Sequence, residues 1–412
     1  MNQSVLPDFA DPAVQANPFE AYEKLRDAHP VYKDPTTGFY VVLDYDLLRE
    51  VAGDSLTYSS DTGVLQVRSG EIGEEIRRIQ ADHGIHLEPA LLVTDPPRHT
   101  FHRRFVEKAF SPSRVRKLEG YLTEVVADLA TSLADQPSVE FVSQFAVMVP
   151  VFVVADLIGA SRDMVQDIKR WSDASAAGVD PSLDQNTILD AVTEACQLQQ
   201  FILEQARRFR IEPADNLLSD VANAEVNGLR LSDPELVSLM EQIFVAGHET
   251  TTNTMAHAML RLIQTPGLEG QLREEPGLIS SYIEEVLRLD SPLQGMFRMT
   301  TKDVTLSGVP IPARSVVVLR WGAGNRDAKR FAFPAEVDLH RPNIRNHLAF
   351  GTGIHFCIGN QLGRAELRIA FEQLLRKYCN FRLANGPSSA SRAEHYFIYR
   401  LQKLEIAFDA VA

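Results

Sequence analysis

The chain has 412 residues, 45% of them hydrophobic, and a formal net charge of −14, so it can fill a large core and repels a phosphate backbone, which excludes nucleic acid as a general partner. Three cysteines, Cys196, Cys357 and Cys379, are too few and too scattered for a disulfide framework or a Cys-x-x-Cys metal site, which suits a reducing cytoplasm. No Gly/Ser-rich linker, low-complexity tract or internal repeat interrupts the sequence, so residues 1–412 are expected to form a single domain, with residues 1–17 as an N-terminal extension.

The first twenty residues contain Pro7, Asp8, Asp11, Pro12 and Pro18 and no apolar core, and the longest apolar run, 145–155, is short and contains Pro150. The expectation is a cytoplasmic protein with neither signal peptide nor membrane anchor. Strand patterns at 38–43, 304–306 and 315–319 interrupt a chain otherwise dominated by helical periodicity, which predicts a mainly α fold with small β-sheets. Arg103, Arg104, Lys108, Arg114, Arg116 and Lys117 concentrate positive charge, and Arg364 and Arg368 add more near the C-terminus. Residues 172–182 are small and polar, the composition of a mobile lid loop.

Ser232-Asp233-Pro234-Glu235 has the pattern of a capping box with Pro in the first turn, and Thr265-Pro266-Gly267 reads as a stop. The helix between them spans about 30 residues, roughly 45–50 Å. Inside it, Ile243-Phe244-Val245-Ala246 gives way to Gly247-His248-Glu249-Thr250-Thr251-Thr252-Asn253. Glycine weakens a helix and hydroxyls can bond back to earlier carbonyls, so a local bend or opening is expected at 246–250. Glu249 and Thr250 would then bring an ionisable group and a hydroxyl into a dry site, the pair that proton transfer requires. A solvated polar face carrying Glu249 and Asn253 is the plainer reading of the same residues. Further on, Glu285 and Arg288 share a helix face, the spacing of an ion pair.

Cys357 ends the run Phe350-Gly351-Thr352-Gly353-Ile354-His355-Phe356-Cys357-Ile358-Gly359, just before a helical pattern over 358–378. A sulfur at a helix entrance meets unpaired N–H groups and the positive end of the macrodipole, both of which favour thiolate. Gly351, Gly353 and Gly359 leave the backbone bare where it turns or where a flat ligand approaches. A small buried hydrophobe, a cysteine nucleophile paired with His355 or His347, and a zinc ligand with those histidines are alternative readings of the same residue.

The ten-residue run matches Phe-x-x-Gly-x-x-x-Cys-x-Gly, and through it the chain resembles the cytochrome P-450 family of haem-thiolate monooxygenases. The resemblance extends over roughly residues 18–408 and implies a P-450 fold with haem between a long distal helix and the helix after Cys357. It makes Cys357 the axial ligand of haem b iron, a thiolate that pushes electron density towards O–O cleavage. Phe350, Gly351, Gly359, Ala246 and Gly247 fall on cofactor-contacting positions, and His99, Arg103, Arg298 and His355 on those that meet the propionates. Glu249 and Thr250 match the acid and alcohol that deliver protons to dioxygen, and Glu285, Arg288 and Arg341 a structural trio bracing the backbone behind the Cys357 loop. Thr300 stands where many relatives have Ala, making the haem edge more polar.

The implied reaction inserts one oxygen atom into a hydrophobic small molecule, with two electrons from NAD(P)H. No Gly-x-Gly-x-x-Gly follows a strand pattern, so the electrons must arrive through a separate carrier, expected to be a ferredoxin docking near Lys108, Arg114, Lys117, Arg364 and Arg368. Expected substrate contacts are Leu65, Ile85, Leu92, Ile243, Phe244, Leu293, Met296, Phe397 and Ile398, with Gln294 as a polar handle. A peroxide-driven peroxygenase and a haem sensor are the rival functions on this fold.

Overall fold

The structure, a computed structural model, describes residues 7–62, 71–134, 136–178 and 184–411. Contacts group the chain into two compact units, one of residues 1–60, 123–146 and 250–412, the other of 61–122 and 147–249.

The first unit is built on a five-stranded sheet in the order Val31–Lys33, Tyr40–Val42, Val316–Leu319, Met296–Thr300, Tyr58–Ser59. Its one parallel pairing aligns Tyr40 with Val317 and Val42 with Leu319. The period of two sends Val42, Val317 and Leu319 into a core with Leu48, Val51, Trp321 and Phe331, and Val41, Leu43 and Val318 into another with Phe9, Tyr22 and Leu25. Both faces are buried, so these strands read as continuous apolar runs. The helices Ile279–Leu289 and Asn360–Lys377 belong to this unit, as does a sheet in which Arg400–Ala410 pairs with Ala390–Ala393, Val139–Glu140 and Tyr378–Leu383.

The second unit is helical. Its main elements are Glu71–His83, Arg98–Val106, Met148–Ile158, Val165–Gly178 and Gln185–Ile211. The mainly α class with small sheets agrees with the sequence expectation. The expected lid loop does not: residues 172–178 complete the helix Val165–Gly178, while 179–182 lie outside the described residues. Trp171, Ser172 and Ala174 are buried, because small residues suit a helix face in close contact as well as they suit a loop.

The helix Asp233–Gln264 runs 32 residues, its first half in the second unit and its second half in the first. The capping box forms reciprocally: Ser232 Oγ accepts from Glu235 N at 3.3 Å and Glu235 Oε2 accepts from Ser232 N at 3.0 Å. The helix is unbroken through Gly247, against the expected opening at 246–250. Thr254 Oγ1 donates to the Thr250 carbonyl at 2.8 Å without breaking the ladder. Gly247 relieves a tight contact instead, since a Cβ there would come within 3.2 Å of Val154 Cγ1, which would have to give way. No helix among the described residues is long and apolar enough to cross a membrane.

Candidate functional site

The segment leading to Cys357 is shaped by two glycines in the left-handed region, Gly351 at φ +67° and Gly353 at φ +74°. A Cβ on Gly353 would overlap the Ala52 carbonyl oxygen, so the chain passes there only without a side chain. The Cys357 N–H closes the turn on the Phe350 carbonyl at 2.9 Å, and Asn360 Nδ2 donates to the Cys357 carbonyl at 2.8 Å. The helix starts at Asn360, two residues later than its periodicity suggests, with Gly359 as its cap. The Cys357 thiol is half-buried, and Cβ atoms built on Gly351 and Gly359 meet nothing within 4 Å. The backbone flanking the sulfur on both sides thus borders open space.

Behind this turn stands a network that sequence spacing did not reveal. Glu284 accepts from Arg364 at 2.5 Å and 3.1 Å and from His347 Nε2 at 2.8 Å. His347 Nδ1 in turn accepts from Ala349 N at 3.2 Å, which fixes the tautomer with its proton on Nε2. The Arg364 guanidinium lies 4.3 Å from the centroid of the Phe350 ring. Burial opposes ionisation of Glu284, but hydrogen bonds from His347 and Arg364 prevail and hold its carboxyl down at about 2. His347 is fully buried and its pKa is lowered, so the contact with Glu284 is a hydrogen bond from a neutral imidazole. With both ring nitrogens engaged, His347 is not available to a metal or to Cys357 as a base.

The neighbouring Glu285 is completely buried and receives Arg288 at 2.9 Å and Arg341 at 2.8 Å. The two arginines also donate to the carbonyls of Asn325, Ala332, Phe333, Pro334 and Glu336. The trio therefore braces the 325–336 backbone, and it is Glu284 that reaches the Cys357 segment. Sequence gave no sign of Glu284 because every residue from 282 to 289 is buried, which leaves no polar face to read.

Arg298 is buried and donates to the Phe297 carbonyl at 2.7 Å, and His355 Nε2 lies 2.8 Å from Ser60 Oγ. In the second unit, His99 and Arg103 lie on the helix Arg98–Val106; His99 is buried, and burial, then the charge of Arg103, lowers its pKa and keeps it neutral. Next to them, His102 Nδ1 accepts from Leu91 N at 3.2 Å, and its Nε2 sits 3.6 Å from Glu235. On the long helix, Glu249 and Thr250 are partly exposed and Ala246 is exposed, whereas Asn253 is buried, so this is no continuous solvated face.

The expected substrate contacts divide. Leu65 lies outside the described residues. Ile85, Leu293 and Ile398 are partly exposed, the last two joined by an isolated β-bridge, and Leu92 is exposed. Ile243 and Phe244 are instead buried core, and Met296 and Phe397 pack against the two sheet cores, as large apolar side chains next to a sheet generally do. Gln294 is no handle: Tyr22 OH donates to its Oε1 at 3.1 Å and its Nε2 donates to the Ser291 carbonyl at 2.6 Å. The Thr300 hydroxyl is likewise already used, donating to the Pro312 carbonyl at 2.7 Å. Arg364 is committed to Glu284, Arg114 to Asp215 and Arg368 to Glu372, while Lys108 and Lys117 are exposed.

A family model described as cytochrome P450 matches residues 179–386. The chain is 33% identical over 394 residues to the vitamin D(3) 25-hydroxylase of Pseudonocardia autotrophica, 95% of this chain and 93% of that protein. Among solved structures, cytochrome P450 CREJ in complex with (4-ethylphenyl) dihydrogen phosphate is similar at a TM-score of 0.89 and 32% identity, covering 96% of this chain and 98% of the other. CYP109E1 from Bacillus megaterium in complex with testosterone is similar at a TM-score of 0.83 and 30% identity, covering 96% and 99%.

Proposed function

The chain belongs to the cytochrome P450 family of haem-thiolate monooxygenases, and from that premise we propose that it oxidises a hydrophobic small molecule at a haem b ligated by Cys357. Dioxygen is the oxidant, and a separate ferredoxin-type carrier supplies the electrons.

The residues fit the cofactor. A half-buried thiol lies between two glycines whose missing side chains leave open space; in the same unit Arg298 and His355, and in the second unit His99 and Arg103, carry the cationic or N–H groups that propionates require. When bound, haem supplies dioxygen activation and the oxidising equivalent. The protein's share is positioning and proton supply. Glu249 exchanges protons with solvent, and the adjacent Thr250 hydroxyl passes them into the site; both keep accessible surface for that task. Ala246 and Gly247 keep the helix surface low, the Glu285–Arg288–Arg341 trio fixes the 325–336 backbone, and Glu284 with Arg364 and His347 stands behind the ligand turn. Glu249 and Thr250 favour the dioxygen route, since a peroxygenase needs no such pair.

Ile85 in the second unit, and Leu293 and Ile398 in the first, are apolar and partly exposed, which suits a hydrophobic ligand. The vitamin D(3) and testosterone named for two relatives are large hydrophobic molecules, which supports the same substrate class.

The observation that carries this reading is the exposed edge of Cys357 in a turn that only glycines permit. Reduced, haem-loaded protein under carbon monoxide should give the red-shifted Soret band of a thiolate ligand, and Cys357→Ala should lose it. Thr250→Ala should keep the band while product formation falls on the order of 10²-fold and electrons are diverted to peroxide. An unchanged product yield in Thr250→Ala would remove the proton relay.

A further inference from the structure

The first unit carries a cleft of about 410 Å³ that the proposed reaction does not use. It lies between residues 332–341 and the turn 265–271, where the long helix ends and the helix Leu268–Glu274 begins. Leu268 and Leu339, both buried, give it an apolar floor. Phe333 lines it as well and is 75% exposed, the most exposed phenyl ring among the described residues. A volume of this size falls in the range of small-molecule sites.

Phe333 is held in a conformation that its residue type disfavours. Its φ is +47°, in the left-handed region, where Cβ crowds the following carbonyl and Gly, Asn and Asp are the usual occupants. Pro334 comes next, and a residue before proline prefers extended backbone. The fold imposes the conformation through three successive carbonyls: Ala332 accepts from Arg341 Nη1 at 2.5 Å, Phe333 from Glu336 N at 3.1 Å and Pro334 from Arg288 Nη1 at 2.6 Å. The ring gains little from burial and its backbone costs stability, and strained residues of this kind cluster at ligand sites. Charge gives the cleft its sign. Glu336 is exposed, and its carbonyl, not its carboxylate, is the group that Arg288 and Arg341 engage, at 3.0 and 3.2 Å. Asp338 is exposed too, with Oδ1 accepting the His340 N–H at 3.0 Å. Arg288 and Arg341 are 0% and 5% exposed and bound to Glu285 and backbone, so the charges of the cleft that face solvent are the two carboxylates.

We propose that this cleft binds a small organic cation, an ammonium group on a hydrocarbon body, with its charge against the Phe333 ring face, Glu336 and Asp338, and its hydrocarbon part over Leu268 and Leu339. A phenyl face attracts a cation through its quadrupole, and the more so once the cation is partly desolvated. The carboxylates add attraction and turn away anions. A neutral ligand of the same shape keeps the apolar contact and loses both of these gains. Because the guanidinium groups brace the wall, the ring is in place before the ligand arrives, which lowers the entropy cost of binding. All of the cleft belongs to the first unit, and none of it to the proposed oxidation site.

The test compares benzyltrimethylammonium, which has no lone pair with which to ligate iron, with its neutral carbon isostere neopentylbenzene, in ligand-observed NMR titrations of the haem-loaded protein. Wild type should bind the cation at least about 5-fold more tightly and leave the Soret band unmoved. Glu336→Gln and Phe333→Leu should each lower that preference, the first by removing a charge and the second by removing the ring. Phe333→Asn should abolish cation binding while its thermal midpoint stays level with wild type or rises, because Asn tolerates the left-handed region. Equal binding of the two probes to wild type, or a preference that survives both Glu336→Gln and Phe333→Leu, overturns the site. A Soret shift with the cation would place it in the haem pocket and do the same. So would a fall in the midpoint of Phe333→Asn, which would give the ring a structural role, or a self-association of wild type that Phe333→Asn removes, which would make the cleft a contact between copies.

Discussion

At the scale of single residues, the groups that matter most behind Cys357 are held by complementary hydrogen bonds, not by charge alone. Glu285 keeps its charge because two guanidiniums and the Asp338 N–H surround it, and losing either arginine would leave a buried ion exposed to the full cost of desolvation. His347 works differently. Its Nδ1 accepts from Ala349 N and its Nε2 donates to Glu284, so a second proton would turn the Ala349 contact into a clash of donors. Its folded pKa lies below its ordinary value of 6.5, chiefly through burial, and that of Glu284 lies at about 2 against 4.5. Both shifts mean that the unfolded chain binds protons more readily, so both contribute stability that is present at neutral pH and lost on acidification. Loss should begin below about pH 6.5 through His347 and continue below about 4.5 through Glu284. The thermal midpoint should therefore fall between pH about 7 and 5, and His347→Gln, which can keep both hydrogen bonds without titrating, should reduce the slope over that interval, the remainder coming from buried His248 and His257, both lowered to about 4. A midpoint with the same slope in the variant would mean that another group governs the acid limb.

At the scale of elements, the helix after Cys357 and the turn before it impose different demands on their glycines. Gly353 has φ +74° and no room for a Cβ beside the Ala52 carbonyl, whereas Gly359 has φ −81° and a Cβ there meets nothing within 4 Å. Gly353→Ala should therefore lower folding yield and haem content together. Gly359→Ala should fold as the parent does yet shift the Soret band or lower haem affinity, because its methyl enters the space beside the sulfur. If the two variants behaved alike, the open space at Gly359 would not be where the cofactor lies. The long helix makes a related point about small residues: Gly247 packs close to Val154, and the helix continues without a break through the polar turn that follows it.

At the scale of the whole molecule, a chain of net charge −14 meets an electron carrier through whatever basic residues its own acids leave free. Arg364, Arg368 and Arg114 are already paired, which leaves Lys108 and Lys117 as the exposed members of the expected docking set. Reversing both lysines should raise the KM for an acidic ferredoxin severalfold and weaken the salt dependence of turnover. Arg364→Glu should instead cost haem and folded protein, since it strands Glu284. Turnover indifferent to the lysine reversals at low and high salt alike would direct the search for the docking surface elsewhere.

The sequence by itself determined the features written in contiguous residues: the Cys357 run, the capping box at Ser232 and Glu235, the Glu285–Arg288 spacing and the mainly helical class. Each is local, set by backbone geometry within a few turns, so periodicity and spacing are enough to read it. Only the tertiary structure decided which polar side chains were already spent. Gln294 is consumed by Tyr22 and Ser291, Arg364 by Glu284 and His347 by Ala349. These partners are set by burial and by contacts between segments remote in the chain, where the cost of an unpaired polar group is settled by whatever the fold brings alongside it.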